Sequence, residues 1–306
     1  MIKTIPNGVY PTMLTPFTDD NKIDYNGVLE LLDFYSKAGC DGVFATCQSS
    51  EIFFLSFEER LELLKFIMKN IPKGMTVVAS GHTADDLQTQ IKEANAFIET
   101  GIDAYVFIAN RFASQDEDDD AFLKRFETAV KMLPEIGFGV YECPYPYKRL
   151  MNPYTIKRCC EIGNLRFIKD TCCKIDDIKA KLDAANGTGL KIYNANGATL
   201  LESLKTGCAG YSGVMANFHP EFYTWLCKNY KTNPGKAEKL ANFLSMASTI
   251  ELQQYPTNAK YHLTKRGLDI TIKSRTRDCS TFSESNKKEI DAMFETEKIV
   301  TELLKM

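Results

Sequence analysis

Phe138-Gly139-Val140-Tyr141, a helical pattern over residues 153–162, then Leu165-Arg166-Phe167-Ile168-Lys169 together read as strand, helix and strand. Two short apolar runs joined by a helix pack as parallel neighbours, because the crossover carries the chain back to start the next strand from the same end of the sheet. The same alternation extends in both directions. Upstream lie strands at Gly8 to Leu14, Gly42 to Thr46, Met75 to Ser80 and Ala104 to Ile108. Downstream lie Lys191 to Asn194 and Gly210 to Met215. Helical spacing fills the gaps at Tyr25 to Lys37, Asp85 to Thr100, 118–132, 174–185 and 198–206. One further helix starts at Ser56, where Ser56-Phe57-Glu58-Glu59 sets a hydroxyl and a carboxylate as a capping box requires. Eight strands with crossover helices predict a (β/α)8 barrel. The alternative is a doubly wound open sheet, which more often carries a Gly-rich phosphate loop after its first strand. Here that position reads Thr12-Met13-Leu14-Thr15-Pro16.

The chain has 306 residues, enough for one barrel with an appendage. We expect the barrel to occupy residues 1–225 and a helical region residues 226–306. Strand signals stop beyond it, and 233–306 read as helices, including Asn286 to Lys305. The acidic run Asp116 to Asp120 reads as a solvated loop entering a helix N-terminus. Lys plus Arg is 37 against 40 Asp plus Glu, so there is no basic footprint for nucleic acid or an anionic membrane. No apolar run reaches the roughly 20 residues of a membrane span, and Met1 to Pro6 lacks a secretory core. Ten cysteines are numerous, but a disulfide scaffold belongs to small secreted chains. Reduced thiols in the cytoplasm are the expectation. Three histidines, His82, His219 and His262, and the unspaced Cys159-Cys160 and Cys172-Cys173 pairs leave no metal or cofactor in prospect.

A barrel's chemistry sits at the C-terminal ends of its strands. Lys169 ends the sixth, where desolvation would lower its pKa and free the amine to attack a carbonyl; otherwise it is a strand-capping ion pair. Tyr141 ends the fifth and can exchange a proton, unless it only packs at the rim. After the second come Cys47-Gln48-Ser49-Ser50-Glu51, where two hydroxyls and backbone amides suit a carboxylate or phosphate; otherwise the serines bond their own backbone. His82 reads as a structural rim histidine. Cys143, Cys172 and Cys173 flank the site, with Cys47 in the loop, and no histidine stands near them in sequence to activate a thiol.

In combination these segments resemble the dihydrodipicolinate synthase/N-acetylneuraminate lyase family. The likeness covers Gly8 to Pro16, Ser49-Ser50-Glu51 with Leu55 to Arg60, Tyr141 with Pro144, Ile168-Lys169-Asp170 and Gly213 to Asn217. It implies a class I aldolase without cofactor. Lys169 forms a Schiff base with pyruvate or another 2-oxo acid, and Tyr141 moves protons. Gln48, Ser49 and Ser50 hold the carboxylate, and Thr171 and Ser212 shape the pocket. It also implies an aldehyde as second substrate and a homotetramer, a dimer of dimers. The alternative is a barrel that binds a 2-oxo acid without catalysis.

The departures narrow the activity. The family's loop reads Gly-Ser/Thr-Thr-Gly-Glu, and both glycines are replaced here. Arg111 and Phe112 stand where the synthases carry a tyrosine pair, and a phenyl ring passes no proton. Pro146 stands where their substrate arginine belongs, with Lys148 and Arg149 just beyond. Asn196-Gly197-Ala198 replaces the acidic pair of the sialic acid lyases. Both activities are therefore disfavoured. Arg111 is the expected grip for an anionic group on the second substrate, or else an interface ion pair.

Overall fold

The computed structural model describes residues 2–305. Its strands are β1 (Gly8–Val9), β2 (Gly42–Phe44), β3 (Thr76–Ala79), β4 (Ala104–Ile108), β5 (Gly137–Tyr141), β6 (Leu165–Asp170), β7 (Lys191–Asn194) and β8 (Gly210–Tyr211). All pair in parallel in the order β1-β8-β7-β6-β5-β4-β3-β2. Phe44 N donates to Pro11 O at 2.9 Å and Met13 N to Phe44 O at 3.0 Å, which joins β1 to β2 and completes the ring. The outer layer is α1 (Tyr25–Lys37), α2 (Phe57–Asn70), α3 (Leu87–Ile98), α4 (Asp119–Met132), α5 (Pro153–Ile162), α6 (Ile175–Ala184), α7 (Leu200–Thr206) and α8 (Pro220–Asn229). Helices α9 (Pro234–Ala247), α10 (Thr257–Lys265) and α11 (Glu284–Leu304) follow. The molecule is a (β/α)8 barrel with C-terminal helices. Among the described residues, no helix is long and apolar enough to cross a membrane.

Local chemistry accounts for the boundaries. Ser56 caps α2 by accepting from Glu59 N, and Glu59 returns the bond to Ser56 N, as the capping-box pattern requires. Such a cap stabilises a helix by about 1 kcal/mol. Asp118 caps α4, with Asp119 and Asp120 in its first turn, where the helix dipole favours negative charge. The first strand is shorter than its apolar run, Gly8 to Leu14. Pro11 has no N–H to continue the ladder, so the chain changes partner from β8 to β2 there. The eighth strand also stops early, and Val214–Asn217 forms a 3-10 turn. Gly213 lies so close to Ala195 O and the Tyr211 ring that a β-carbon would not fit.

The C-terminal region departs most from the reading of residues 233–306 as helices. Gly267, at φ +90°, ends α10 in a Schellman motif, with Leu268 N donating to Leu263 O and Gly267 N to Thr264 O. Apart from a single 3-10 turn at Cys279–Thr281, residues 266–283 have no helix. They run irregularly and carry Ser274 to Arg277 to the barrel mouth.

Side chains alternate along each strand. On β6, Phe167 faces the barrel interior, stacked on Tyr193 at 4.6 Å with Tyr10 edge-on to both. Ile168 faces the helices. The alternation carries Lys169 inward and Asp170 outward.

Candidate active site

Tyr141 and Lys169 are direct register partners on β5 and β6. Lys169 Nζ lies 4.2 Å from the centre of the Tyr141 ring. The lysine is 3% exposed, and among the described residues its amine has no hydrogen-bond or ion-pair partner. Burial holds that amine below the ordinary lysine value, against the opposite pull of Cys47, Cys143 and Glu251. A buried ammonium without a counter-charge in contact is costly, so burial shifts the balance toward the neutral, nucleophilic form.

Lys181, on α6, shows what pairing does to a buried lysine. Its Nζ contacts Glu142 Oε1 and Asp170 Oδ2, each at 2.5 Å. Burial alone would lower its pKa, but the two carboxylates outweigh it and hold the amine charged. Burial and Asp170 push Glu142 up to about 7 against the pull of Lys181. Glu142 follows Tyr141 and Asp170 follows Lys169, so this cluster ties both strand ends to the helix layer behind them.

Gln48 Oε1 accepts from Tyr141 Oη at 3.1 Å and from Cys143 Sγ at 3.4 Å. Burial, with the Cys143 and Cys47 thiols, raises the Tyr141 phenol well above its ordinary value. Gln48–Ser50 is a 3-10 turn whose first two N–H groups, of Gln48 and Ser49, bond to no carbonyl. Ser49 Oγ donates to Thr12 Oγ1 at 3.0 Å. Ser50 is otherwise engaged. Its hydroxyl lies 2.5 Å from Met13 O and 2.9 Å from Ala45 O, and accepts from Cys47 N. Glu51, left-handed at φ +61°, is held by Lys260 Nζ, Ser274 Oγ, Thr276 Oγ1 and the N–H groups of Arg275 and Thr276. That carboxylate fastens the turn to the irregular segment 274–276.

A cavity of about 440 Å³ opens above these groups, lined by Gln48, Ser49, Tyr141, Lys169 and Thr171 among others. Ser50, Ser212 and Arg111 do not line it. Ser212 is buried with its hydroxyl unbonded. Arg111 pairs with Asp85 at 3.0 Å, lies over the Phe53 ring and faces a separate cavity of about 310 Å³. Phe112 is core, packed on His82 at 4.5 Å. His82 is buried, and its Nδ1 accepts from Ile108 N at 2.9 Å. Burial drops its pKa to about 4. Of the cysteines that flank the site, Cys173 reaches the cavity.

Among the lining residues that carried no local signal are Glu251, Gln253, Tyr255 and Arg277. They belong to the 3-10 turn Ser248–Leu252, the connection into α10, and the irregular segment. Tyr255 Oη accepts from Asn217 Nδ2 at 3.0 Å, which ties that connection to the turn after β8.

The sequence profile of the dihydrodipicolinate synthetase family matches residues 5–296. The chain belongs to that family. Membership makes it an enzyme of the lyase class. A 4-hydroxy-tetrahydrodipicolinate synthase of Clostridium perfringens is 23% identical over 252 residues, covering 81% of this chain and 84% of that one. One from Methanococcus maripaludis is 25% identical over 234 residues, covering 76% and 77%. Among solved structures, the Escherichia coli K12 prophage protein YagE, a family member in complex with pyruvate, superposes with a TM-score of 0.85 at 19% identity, covering 95% and 98%. CdNal of Clostridium difficile, in complex with mannosamine, gives 0.84 at 14% identity over the same shares. At such identities the structural likenesses establish the family's fold. The chemistry rests on the side chains above.

Proposed function

We propose that this enzyme is a Schiff-base lyase or aldolase acting on pyruvate or a related 2-oxo acid. The observation that carries the reading is Lys169, a buried amine without a counter-charge, ending a barrel strand beside a tyrosine and open to a cavity. The neutral amine attacks the ketone carbon to give a carbinolamine, and loss of water gives an iminium ion. Tyr141, steadied by Gln48, supplies and retrieves protons in that dehydration. The free N–H groups of the Gln48–Ser50 turn and the Ser49 hydroxyl hold the carboxylate, and Thr171 also lines the cavity. The iminium withdraws electrons, so a bond at the adjacent carbon breaks or forms as an aldehyde leaves or adds.

The same reading gives a cytoplasmic homotetramer with an aldehyde as second partner. Dihydrodipicolinate synthesis and sialic acid cleavage remain disfavoured, because Pro146 and Asn196 stand where those activities place their second-substrate side chains. A 2-oxo-acid binder without turnover fits less well, since binding alone does not require an unpaired buried amine. Turnover separates the two readings. Incubation with a panel of 4-hydroxy-2-oxo acids is expected to release pyruvate from at least one, with Lys169→Ala inactive on all. Release that survives in Lys169→Ala contradicts the proposal.

A further inference from the structure

Among the residues that line the Lys169 cavity there is a single carboxylate, Glu251. It enters on the 3-10 turn Ser248–Leu252, which is fastened to α10 by Asn258 Nδ2 donating to Ile250 O at 2.8 Å. Its carboxylate makes no ion pair or hydrogen bond among the described residues, and the one charged side chain that acts on it is Lys169. The other proton carriers on the wall are engaged otherwise. Tyr141 serves the dehydration while donating to Gln48, Tyr255 accepts from Asn217, and Cys173 donates to Thr171 O. Lys148 and Arg277 are cations. An acceptor that faces the cavity without a protein partner remains available to a substrate.

We propose that Glu251 is a second catalytic residue, the general base that takes the proton from the carbon next to the Lys169 iminium. This rests on the Schiff-base reading above. In the step, the C3–H bond of the pyruvate iminium breaks and its proton passes to a carboxylate oxygen of Glu251. The C–H electron pair becomes the C2=C3 double bond, and the C2=N π pair returns to the Lys169 nitrogen, giving a neutral enamine. Reversal returns the proton to C3. Burial raises the Glu251 carboxyl to about 7 against the pull of Lys169, which suits a group that must both take and give a proton near neutrality. Burial raises the phenols of Tyr141 and Tyr255, so both rest protonated at neutral pH.

The step is read with pyruvate alone, by loss of its methyl proton signal in deuterium oxide at neutral pH, in parallel with borohydride trapping. The wild type is expected to exchange. Glu251→Gln is expected to trap pyruvate as the wild type does while exchanging on the order of 100-fold more slowly, with part of the rate restored by Glu251→Asp. Exchange by Glu251→Gln at the wild-type rate overturns the proposal. So does a wild type that traps pyruvate without exchanging it, or a Glu251→Gln variant that no longer traps, since the residue would then act before the enamine. A wild type that does not trap at all overturns the Schiff-base reading instead.

Discussion

Lys169 and Lys181 are both buried, and what separates them is the company of carboxylates. Lys181 has two, at 2.5 Å each, and Lys169 has none in contact. An amine buried and unpaired is a cost that the fold bears for the sake of a reactive group. Lys169→Met should therefore stabilise the protein by on the order of 1 to 2 kcal/mol while abolishing activity. Urea unfolding measures this, and a variant less stable than the wild type contradicts an uncompensated amine. Lys169 and Tyr141 were legible in the sequence because each ends an apolar strand run, a position that has chemical meaning in a barrel. Glu251 was not, because nothing in Ser248 to Leu252 distinguishes it from a surface turn. Its meaning comes from where the tertiary fold sets that turn. Arg111 shows the converse, since being near a strand end in sequence did not bring it to the cavity.

At the scale of elements, the Glu142–Lys181–Asp170 cluster joins β5 and β6 to α6 behind the two reactive side chains. Removing the cation leaves two buried carboxylates facing each other, and breaking a buried pair costs about 3 to 5 kcal/mol. Lys181→Met is expected to lose that much stability by chemical denaturation, with Lys181→Arg losing less. A loss below about 1 kcal/mol would mean that the cluster relaxes without its cation. Periodicity revealed most of these elements, since the strands and helices of the barrel alternate in apolar spacing and begin at capping residues such as Ser56 and Asp118. Residues 266–283 were misread as helix because a Schellman stop and a non-periodic segment leave only a lone glycine as a signal. That segment matters to the site, because Glu51 accepts from Ser274, Arg275 and Thr276 and so couples the carboxylate turn to it.

For the whole molecule, the raised carboxyls of Glu142 and Glu251 favour the folded state as they take protons, and acid acts with the opposite sign, toward unfolding, on the buried His82. Its Nδ1 accepts from the end of β4, which only a neutral ring can do, and burial lowers its pKa to about 4. The folded value lies below the unfolded 6.5, so the unfolded chain takes the proton first and stability falls as pH drops from about 6.5 to 4. Between pH 7 and 5 the expected loss from this group is about 2 kcal/mol. His82→Asn should flatten that part of the pH dependence in urea midpoints, and an unchanged slope would assign it elsewhere. The barrel sets one buried amine, with no carboxylate in contact, on the wall of a cavity. The measurement that bears most directly on this is borohydride reduction in the presence of pyruvate, followed by peptide mass mapping. The account predicts one reduced pyruvate adduct, located on Lys169 and absent from Lys169→Ala. An adduct on another lysine, or none with pyruvate or any related 2-oxo acid, would contradict it.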